Sequence, residues 1–167
     1  MKQFILATLI LIGLISCSNN PTTKVEREGE PAIYNVEDKD AEMNEAIKTA
    51  NKTIDEFRKA LESNNPDFDY FSIKMRFNAP PGGEHIWLTD ITFKNNKFYG
   101  VVNNEPEITT EVKLGDSLEI VNDRISDWMY QDNDTLRGGY TIRAIRNKLS
   151  DAEKKQFDVE NGLLIKD

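Results

Sequence analysis

The chain has 167 residues, with 29 acidic and 21 basic side chains and a formal net charge of −8 at pH 7. This charge, without a long basic stretch, excludes an electrostatic nucleic-acid-binding surface and predicts repulsion from anionic lipid. Cys17 is the one cysteine and His85 the one histidine, which excludes an internal disulfide and a histidine-rich zinc site.

Residues 1–16 have the layout of a bacterial signal peptide, in which Lys2 precedes an apolar run over residues 4–15. The stretch Leu14-Ile15-Ser16-Cys17 resembles the lipobox at which lipoproteins are cleaved and acylated. A membrane-spanning helix needs roughly 20 apolar residues, more than this run supplies. A plain secretory signal would leave Cys17 as an unpaired thiol. We therefore expect acyl chains on Cys17 to hold the protein on the membrane.

The residue after the cysteine predicts the location of the protein. Ser18, rather than an acidic residue, follows Cys17. By resemblance to the sorting patterns of Gram-negative lipoproteins, this favours the outer membrane over the inner membrane. No acidic cluster follows at once, which favours the periplasmic face over the cell surface.

Residues 17–38 are predicted to form a flexible tether. The segment is rich in polar and charged residues, so it cannot bury enough apolar surface to offset the entropy of ordering. A single domain is predicted over residues 39–148, followed by a C-terminal helix and tail over residues 149–167. A chain of this length suits one domain with one core.

Residues 40–63 are predicted to form an amphipathic helix. Apolar side chains recur at steps of three and four and therefore share one face. They are Met43, Ala46, Ile47, Ala50, Ile54, Phe57 and Leu61. Asp40 is suited to cap the first turn, and Asn64-Asn65-Pro66 ends the helix.

The periodicity then changes to that of β-strands. Apolar and polar side chains alternate over residues 70–77, which indicates a half-buried strand. Residues 85–93 and 97–102 flank Asn95-Asn96, and such a pair is typical of a two-residue hairpin turn. This turn places Phe98 opposite Phe93.

Alternation also predicts which other side chains of this hairpin share a face. Thr89 is expected opposite Val102, in the same row as Phe93. Trp87 is expected on that same face, two residues further from the turn. The hairpin would therefore have one continuous face that includes Trp87.

Further strands and a second helix are expected towards the C-terminus. Residues 108–112 and 117–122 resemble another hairpin, and residues 125–130 a last short strand. Residues 131–139 read as a polar loop. Ser150 and Glu153 have capping-box spacing, which predicts a short C-terminal helix.

The element order predicts an α+β fold. An N-terminal amphipathic helix would pack on a strongly bent antiparallel sheet or small β-barrel, with a short helix at the C-terminus.

Several short signatures occur in a fixed order along the chain. They are Phe71-x-Ile73-Lys74, Glu84-His85-x-Trp87, Gly100-x-Val102-x-Asn104-x-Pro106, Leu114-Gly115-Asp116, Ile125-x-Asp127-Trp128-Met129 and Gly138-Gly139-Tyr140-Thr141-x-Arg143. Together they resemble the bacterial family filed as domain of unknown function 2314. The resemblance runs from the helix near Asp40 to about Arg146. It implies a domain boundary and brings no reaction or site with it.

Three residues are the candidates for catalysis. Glu84 and His85 are adjacent, and a carboxylate beside a histidine is a possible acid–base pair. Neighbours on a strand point to opposite faces, however, so the two side chains do not readily meet. Asp127 is a candidate partner for His85. Its alternative role is structural, accepting hydrogen bonds from the Gly138-Gly139 loop or pairing with an arginine.

Five residues are the candidates for ligand binding: Trp87, Trp128, Arg76, Tyr140 and Arg143. The two tryptophans lie near strand ends, so they are expected either to line one aromatic groove or to fill the core. Asp132-x-Asp134 begins like a calcium loop, but arginines stand where glycine and glutamate are needed, so no EF-hand is predicted. No cofactor is expected.

The leading hypothesis from the sequence is a non-catalytic, lipid-anchored envelope protein whose acidic domain binds a protein, a peptide or another ligand. The first alternative is an envelope hydrolase or isomerase that uses His85 with a nearby carboxylate. The second alternative is an immunity-type inhibitor, whose acidic face would cover a basic toxin.

Overall fold

The computed structural model describes residues 22–27, 30–36, 40–80 and 82–166. Its helices and strands are β1 (Thr22–Arg27), β2 (Glu30–Val36), α1 (Ala41–Glu62), β3 (Phe68–Phe77), β4 (Glu84–Lys94), β5 (Lys97–Val102), β6 (Ser117–Ile120), β7 (Ile125–Asp132), β8 (Thr135–Gly138), α2 (Tyr140–Asn147) and α3 (Asp151–Glu160). A short 3-10 helix, Asn122–Arg124, lies between β6 and β7. The predicted signal peptide and the acylation of Cys17 lie outside the described residues.

The predicted tether contains two strands in its described part. β1 and β2 pair antiparallel, with Thr22 opposite Val36. The composition of this segment predicts flexibility because its side chains bury little apolar surface. The hydrogen bonds of a strand pair join main-chain groups instead, so a polar segment can also form paired strands. The role of this segment as a tether stays a prediction.

The predicted N-terminal helix is confirmed as α1. The Met43 amide donates to Asp40 Oδ1 at 2.9 Å, which satisfies one of the free donors of the first turn. Phe57 is fully buried, and its ring contacts those of Phe98 and Trp128. These aromatic contacts hold α1 on one face of the sheet.

Six antiparallel strands form one open sheet in the order β6-β5-β4-β3-β7-β8. The predicted α+β class is confirmed, but the predicted strongly bent sheet or small barrel is wrong. β7 pairs with β3 rather than with β6. β6 and β8 therefore lie at opposite edges, and a barrel would need those edges to pair.

A β-bulge in β4 changes the face on which its side chains lie. The turn end of the hairpin has the predicted register, but Thr89 lies opposite Val101, one residue from its predicted partner. Asp90 has a positive φ of 51°, and an extra residue there shifts the alternation. Phe93 consequently packs on the core cluster beneath α1, whereas Trp87 packs on a second cluster.

Two other loop and strand predictions are wrong. Residues 108–112 form no strand, and β8 occupies part of the stretch predicted as a polar loop. Asn133 and Asp134 both have positive φ, 47° and 63°, and they turn the chain from β7 into β8.

The C-terminal region has two helices where the sequence predicts one. α3 has the predicted capping box, with Ser150 and Glu153 bonded reciprocally. α2 is additional, and it packs with α3 on a second apolar cluster that includes Leu136 and Phe157. Across the described part of the chain, no helix has both the length and the apolar character that crossing a membrane requires.

Candidate functional site

Glu84 lies at the start of β4 and fastens a loop. Its Oε1 accepts a hydrogen bond from the Glu107 amide at 2.7 Å. Its Oε2 accepts from the amides of Ile108 at 3.0 Å and Thr109 at 2.8 Å. Three successive main-chain amides, those of residues 107–109, therefore bond one carboxylate. Because they donate to a side chain and not to a neighbouring strand, this loop does not form a β-strand.

His85 contacts a serine that sequence reasoning did not select. His85 Nδ1 lies 2.8 Å from Ser126 Oγ, and that hydroxyl donates to the carbonyl of Lys74 at 3.3 Å. Ser126 is only 2% exposed, whereas His85 is exposed. Because 41 residues separate the pair in the chain, no local pattern could reveal it.

Asp127 is fully buried and caps α2 from a neighbouring strand. Its Oδ1 accepts from the amides of Trp128 at 2.8 Å and Tyr140 at 3.1 Å. Its Oδ2 accepts from the Thr141 amide at 2.8 Å and the Thr141 hydroxyl at 2.6 Å. A negative charge is favoured at the start of a helix, so Asp127 replaces the side-chain cap that Gly139 cannot provide.

Lys74 is the charged partner of Asp127 in this cluster. It lies opposite Asp127 in the pairing of β3 with β7 and opposite Trp87 in the pairing with β4. Lys74 Nζ lies 3.3 Å from Thr141 Oγ1 and 5.0 Å from the centre of the Trp87 ring, a cation–π contact.

Burial changes the pKa values of both charged groups. Burial raises the pKa of Asp127, and the ammonium of Lys74 together with the hydrogen bonds from Thr141 opposes that rise. Burial lowers the pKa of Lys74, and the charge of Asp127 opposes that fall. Inside the fold, the charge of each group therefore favours the ionised form of the other.

The two candidate arginines bind main-chain carbonyls. Arg143 donates to the carbonyls of Gly138 and Leu136, each at 3.0 Å, and to that of Lys166 at 3.2 Å. Arg76 donates to the carbonyl of Gly82. Of the structural roles considered for Asp127, pairing with an arginine is therefore not the one observed, and its oxygens bond Trp128 and the first residues of α2 instead.

Trp87 and Trp128 do not share a groove. Trp87 lies in the row of Lys74, whereas Trp128 lies in the row of its neighbour Ile73, and adjacent rows point to opposite faces. Trp128 is buried beneath α1 and donates to the Ala50 carbonyl at 3.0 Å. The ring of Tyr140 packs edge-on against it at 5.6 Å. Of the two expected roles, Trp128 therefore fills the core, and the two tryptophans line no common groove, because the bulge at Asp90 places Trp87 on the other face of the sheet.

A different groove lies beside the edge strand β6, and we call it the β6 groove. It encloses about 370 Å³ and is lined by Met75, Phe77, Glu111, Val112, Asp116, Ser117, Leu118, Glu119, Val121 and Arg124. None of the predicted site residues lines it. A smaller cavity of about 190 Å³ is lined by Arg143, Arg146, Asn147 and Ile165. Over the residues that the structure describes, no group of three or more potential metal ligands comes together.

Comparison with known proteins gives a family and two relatives. Residues 40–164 match the family described as "Uncharacterized protein conserved in bacteria (DUF2314)". The resemblance noted in the sequence signatures is therefore confirmed, and it extends through α3. A protein of Escherichia coli named "Uncharacterized protein YegJ" is 44% identical over 100 residues, which cover 60% of this chain and 64% of that protein.

A protein of Neisseria meningitidis serogroup B, named as a putative ankyrin repeat protein, is 35% identical over 143 residues. The match covers 81% of this chain and 56% of that protein. The chain thus spans less than two thirds of the length of each of these relatives. No solved structure matches the chain.

Proposed function

The chain belongs to the family described as "Uncharacterized protein conserved in bacteria (DUF2314)", and we propose that it acts as a non-catalytic binding domain in the bacterial envelope. Acyl chains on Cys17 would hold it at the periplasmic face of the outer membrane. The domain would bind a protein or peptide partner there, without chemistry on that partner.

The observation that carries this proposal is the use of both candidate carboxylates as internal fasteners. Glu84 accepts three main-chain hydrogen bonds, and Asp127 accepts three more and a hydroxyl. A general acid or base must instead reach a proton on a substrate. The β6 groove, in contrast, is open and has both apolar and charged lining, as binding sites commonly do.

The anchor is supported by the sequence alone. A short apolar run before a lone cysteine is the layout of a lipoprotein signal. Two or more acyl chains would bind firmly, because each buried methylene contributes about 0.8 kcal/mol.

Two measurements on the full chain test this function. A clickable fatty acid should label the wild type and fail to label Cys17→Ser, and equal labelling of both would refute the anchor. Cross-linking in intact cells, followed by purification from solubilised envelope, should recover one partner at a constant ratio. Repeated absence of a partner under several growth conditions would refute the binding function.

A second candidate function is an envelope hydrolase or isomerase that uses His85. It is favoured by the 2.8 Å contact between His85 Nδ1 and Ser126 Oγ, the distance at which a base activates a hydroxyl nucleophile. Two observations count against it. Ser126 is buried, although a substrate has to reach the nucleophile, and its single hydroxyl proton is donated to the Lys74 carbonyl rather than to His85. An activity abolished by both His85→Ala and Ser126→Ala at unchanged Tm would favour this candidate.

A further inference from the structure

The smaller cavity lies between α2 and the C-terminal residues of the described chain, and we call it the α2 cavity. It encloses about 190 Å³ and is lined by Arg143, Arg146, Asn147 and Ile165. The first three share one face of α2, because they are three and four residues apart. Ile165 is only 8% exposed and packs in the second apolar cluster. Basic side chains and an apolar wall therefore enclose one small space.

Arg143 is fixed by main-chain carbonyls. Its guanidinium donates to the carbonyls of Gly138 and Leu136, each at 3.0 Å, and to that of Lys166 at 3.2 Å. Carbonyls carry no net charge, and no carboxylate among the described residues forms an ion pair with Arg143. A guanidinium has five N–H groups, so two of them are left for a ligand.

Arg146 is fixed by an acidic side chain of α3. Its Nε donates to Asp158 Oδ1 at 2.8 Å, and its Nη2 donates to Asp158 Oδ2 at 2.9 Å, the bidentate geometry of a strong ion pair. Two guanidinium groups and one carboxylate leave a single positive charge at the cavity. Asn147 donates to Glu42 at 3.3 Å, but Glu42 is exposed and does not line the cavity, so water screens its charge.

The volume and the charge of the α2 cavity define the class of ligand that fits it. A cavity of about 150 Å³ can hold benzene, so the α2 cavity has room for a molecule of that size with one small polar group. A carboxylate offers two oxygens to the N–H groups of a guanidinium and balances one positive charge. A neutral molecule would leave the charge of Arg143 without a counter-ion, and a dianion would exceed it.

We propose that the α2 cavity binds a small organic monocarboxylate. The carboxylate accepts the two remaining N–H groups of Arg143, and the apolar part of the molecule contacts Ile165. The α2 cavity shares no lining residue with the β6 groove. The inference therefore goes beyond the proposed binding of a protein or peptide partner and does not depend on it.

The test uses the full chain in detergent and three acids, butanoate, hexanoate and benzoate, each paired with its neutral amide. Isothermal titration measures the affinities. At least one acid should bind at a single site, and at least about tenfold more tightly than its amide, since a charge-assisted pair replaces a neutral contact. In NMR spectra, the side-chain Nε–H signal of Arg143 and the methyl signals of Ile165 should shift. Binding of none of the acids, equal binding of acid and amide, or shifts confined to other residues would overturn the proposal.

Variants separate the α2 cavity from general charge attraction. Arg143→Lys keeps the charge but loses the planar fork, so it should weaken the acid at least about tenfold. Asn147→Asp adds a negative charge to the lining at an exposed position where folding is retained, and it should weaken the acid about fivefold. Asn96→Asp makes the same change in the exposed β4–β5 turn and should change the affinity less than about twofold. Equal effects of Asn147→Asp and Asn96→Asp would overturn the proposal.

The carboxylate of Asp167 is the alternative occupant that the chain itself could supply. Asp167 follows Lys166 in the sequence and lies outside the described residues. Asp167→Asn should leave the affinity for the acid within about twofold of the wild type, since an exposed single charge acts weakly. If the acid binds only after this substitution, the cavity serves the chain's own carboxylate and the proposal is overturned.

Discussion

The Asp127 carboxylate lies 2.6 Å from the Thr141 hydroxyl, although 14 residues separate the two in the chain. This contact and the two amide bonds from the start of α2 make a strand residue the cap of a helix. The ammonium of Lys74 bonds the same hydroxyl at 3.3 Å. A buried charge is thereby matched by donors on several sides, as the low polarity of an interior requires.

Asp127→Ala should lower the free energy of unfolding by at least about 3 kcal/mol. The substitution leaves several buried donors without their acceptor and leaves Lys74 without its opposite charge. Denaturant unfolding at pH 7 measures the change. Asp132→Ala is the matched control on the same strand, because Asp132 keeps 22% of its side-chain surface exposed and its partner Arg137 keeps 53%. Water therefore reaches this ion pair, and its loss should cost less than about 1 kcal/mol. Equal losses of unfolding free energy in the two variants would show that the hydrogen bonds of Asp127 contribute no more than a partly exposed ion pair does.

The pair of Asp40 and Lys148 predicts a pH dependence of stability. The hydrogen bond from Lys148 is the main cause that lowers the pKa of Asp40 below its usual 3.8, and the bond from the Met43 amide lowers it further. A depressed carboxylate pKa stabilises the fold fully above pH 3.8, and this stabilisation is lost as the pH falls through the folded pKa.

Asp40→Asn should therefore reduce stability by about 1 kcal/mol at pH 7. It keeps a side chain that caps α1 well but loses the ion pair with Lys148. The difference from the wild type should shrink as the pH falls below 3.8, and chemical denaturation at a series of pH values measures it. A difference that stays constant from pH 7 to the acid range would contradict the ion pair.

Local patterns predicted the elements that local forces determine. α1 follows from its apolar stripe and the cap at Asp40, and the β4–β5 hairpin follows from Asn95-Asn96, whose φ angles are 51° and 60°. Each of these signals lies inside or directly beside the element that it specifies. The capping box of α3 is a signal of the same kind.

Distant contacts determine what the sequence did not predict. α2 lacks a side-chain cap of its own and is capped by Asp127, which lies in another element. Residues 108–112 alternate like a strand, but Glu84, 24 residues from Ile108, binds the amides at the start of this stretch. The bulge at Asp90 also places Trp87 on the face of the sheet opposite to the one predicted for it. Each of these partners lies in a different element of the chain, so the spacing of residues within one segment could not reveal it.

Gly138 and Gly115 both have positive φ, 69° and 85°, but their surroundings differ. A Cβ at Gly138 would lie 2.3 Å from the Trp128 carbonyl oxygen, whereas a Cβ at Gly115 would meet nothing within 4 Å. Gly115→Ala should therefore cost only the backbone strain, about 1 kcal/mol. Gly138→Ala adds a clash with main chain and should cost at least about 3 kcal/mol in total. Thermal unfolding of both variants tests this, and similar Tm values would refute the close approach of β8 to Trp128.

Glu84→Ala should free the loop that Glu84 holds and leave most of the fold intact. The amides of Glu107, Ile108 and Thr109 lose their acceptor, so their hydrogen exchange should accelerate at least about tenfold through local opening. The global stability should fall by about 2 kcal/mol, the cost of unpaired donors in a partly exposed position. Residue-resolved exchange by NMR reports the three amides separately.

Glu107→Ala is the control, because it removes an exposed carboxylate from the same loop and keeps all three bonds to Glu84. If exchange at these amides is unchanged in Glu84→Ala, or rises equally in Glu107→Ala, the carboxylate of Glu84 does not fasten the loop.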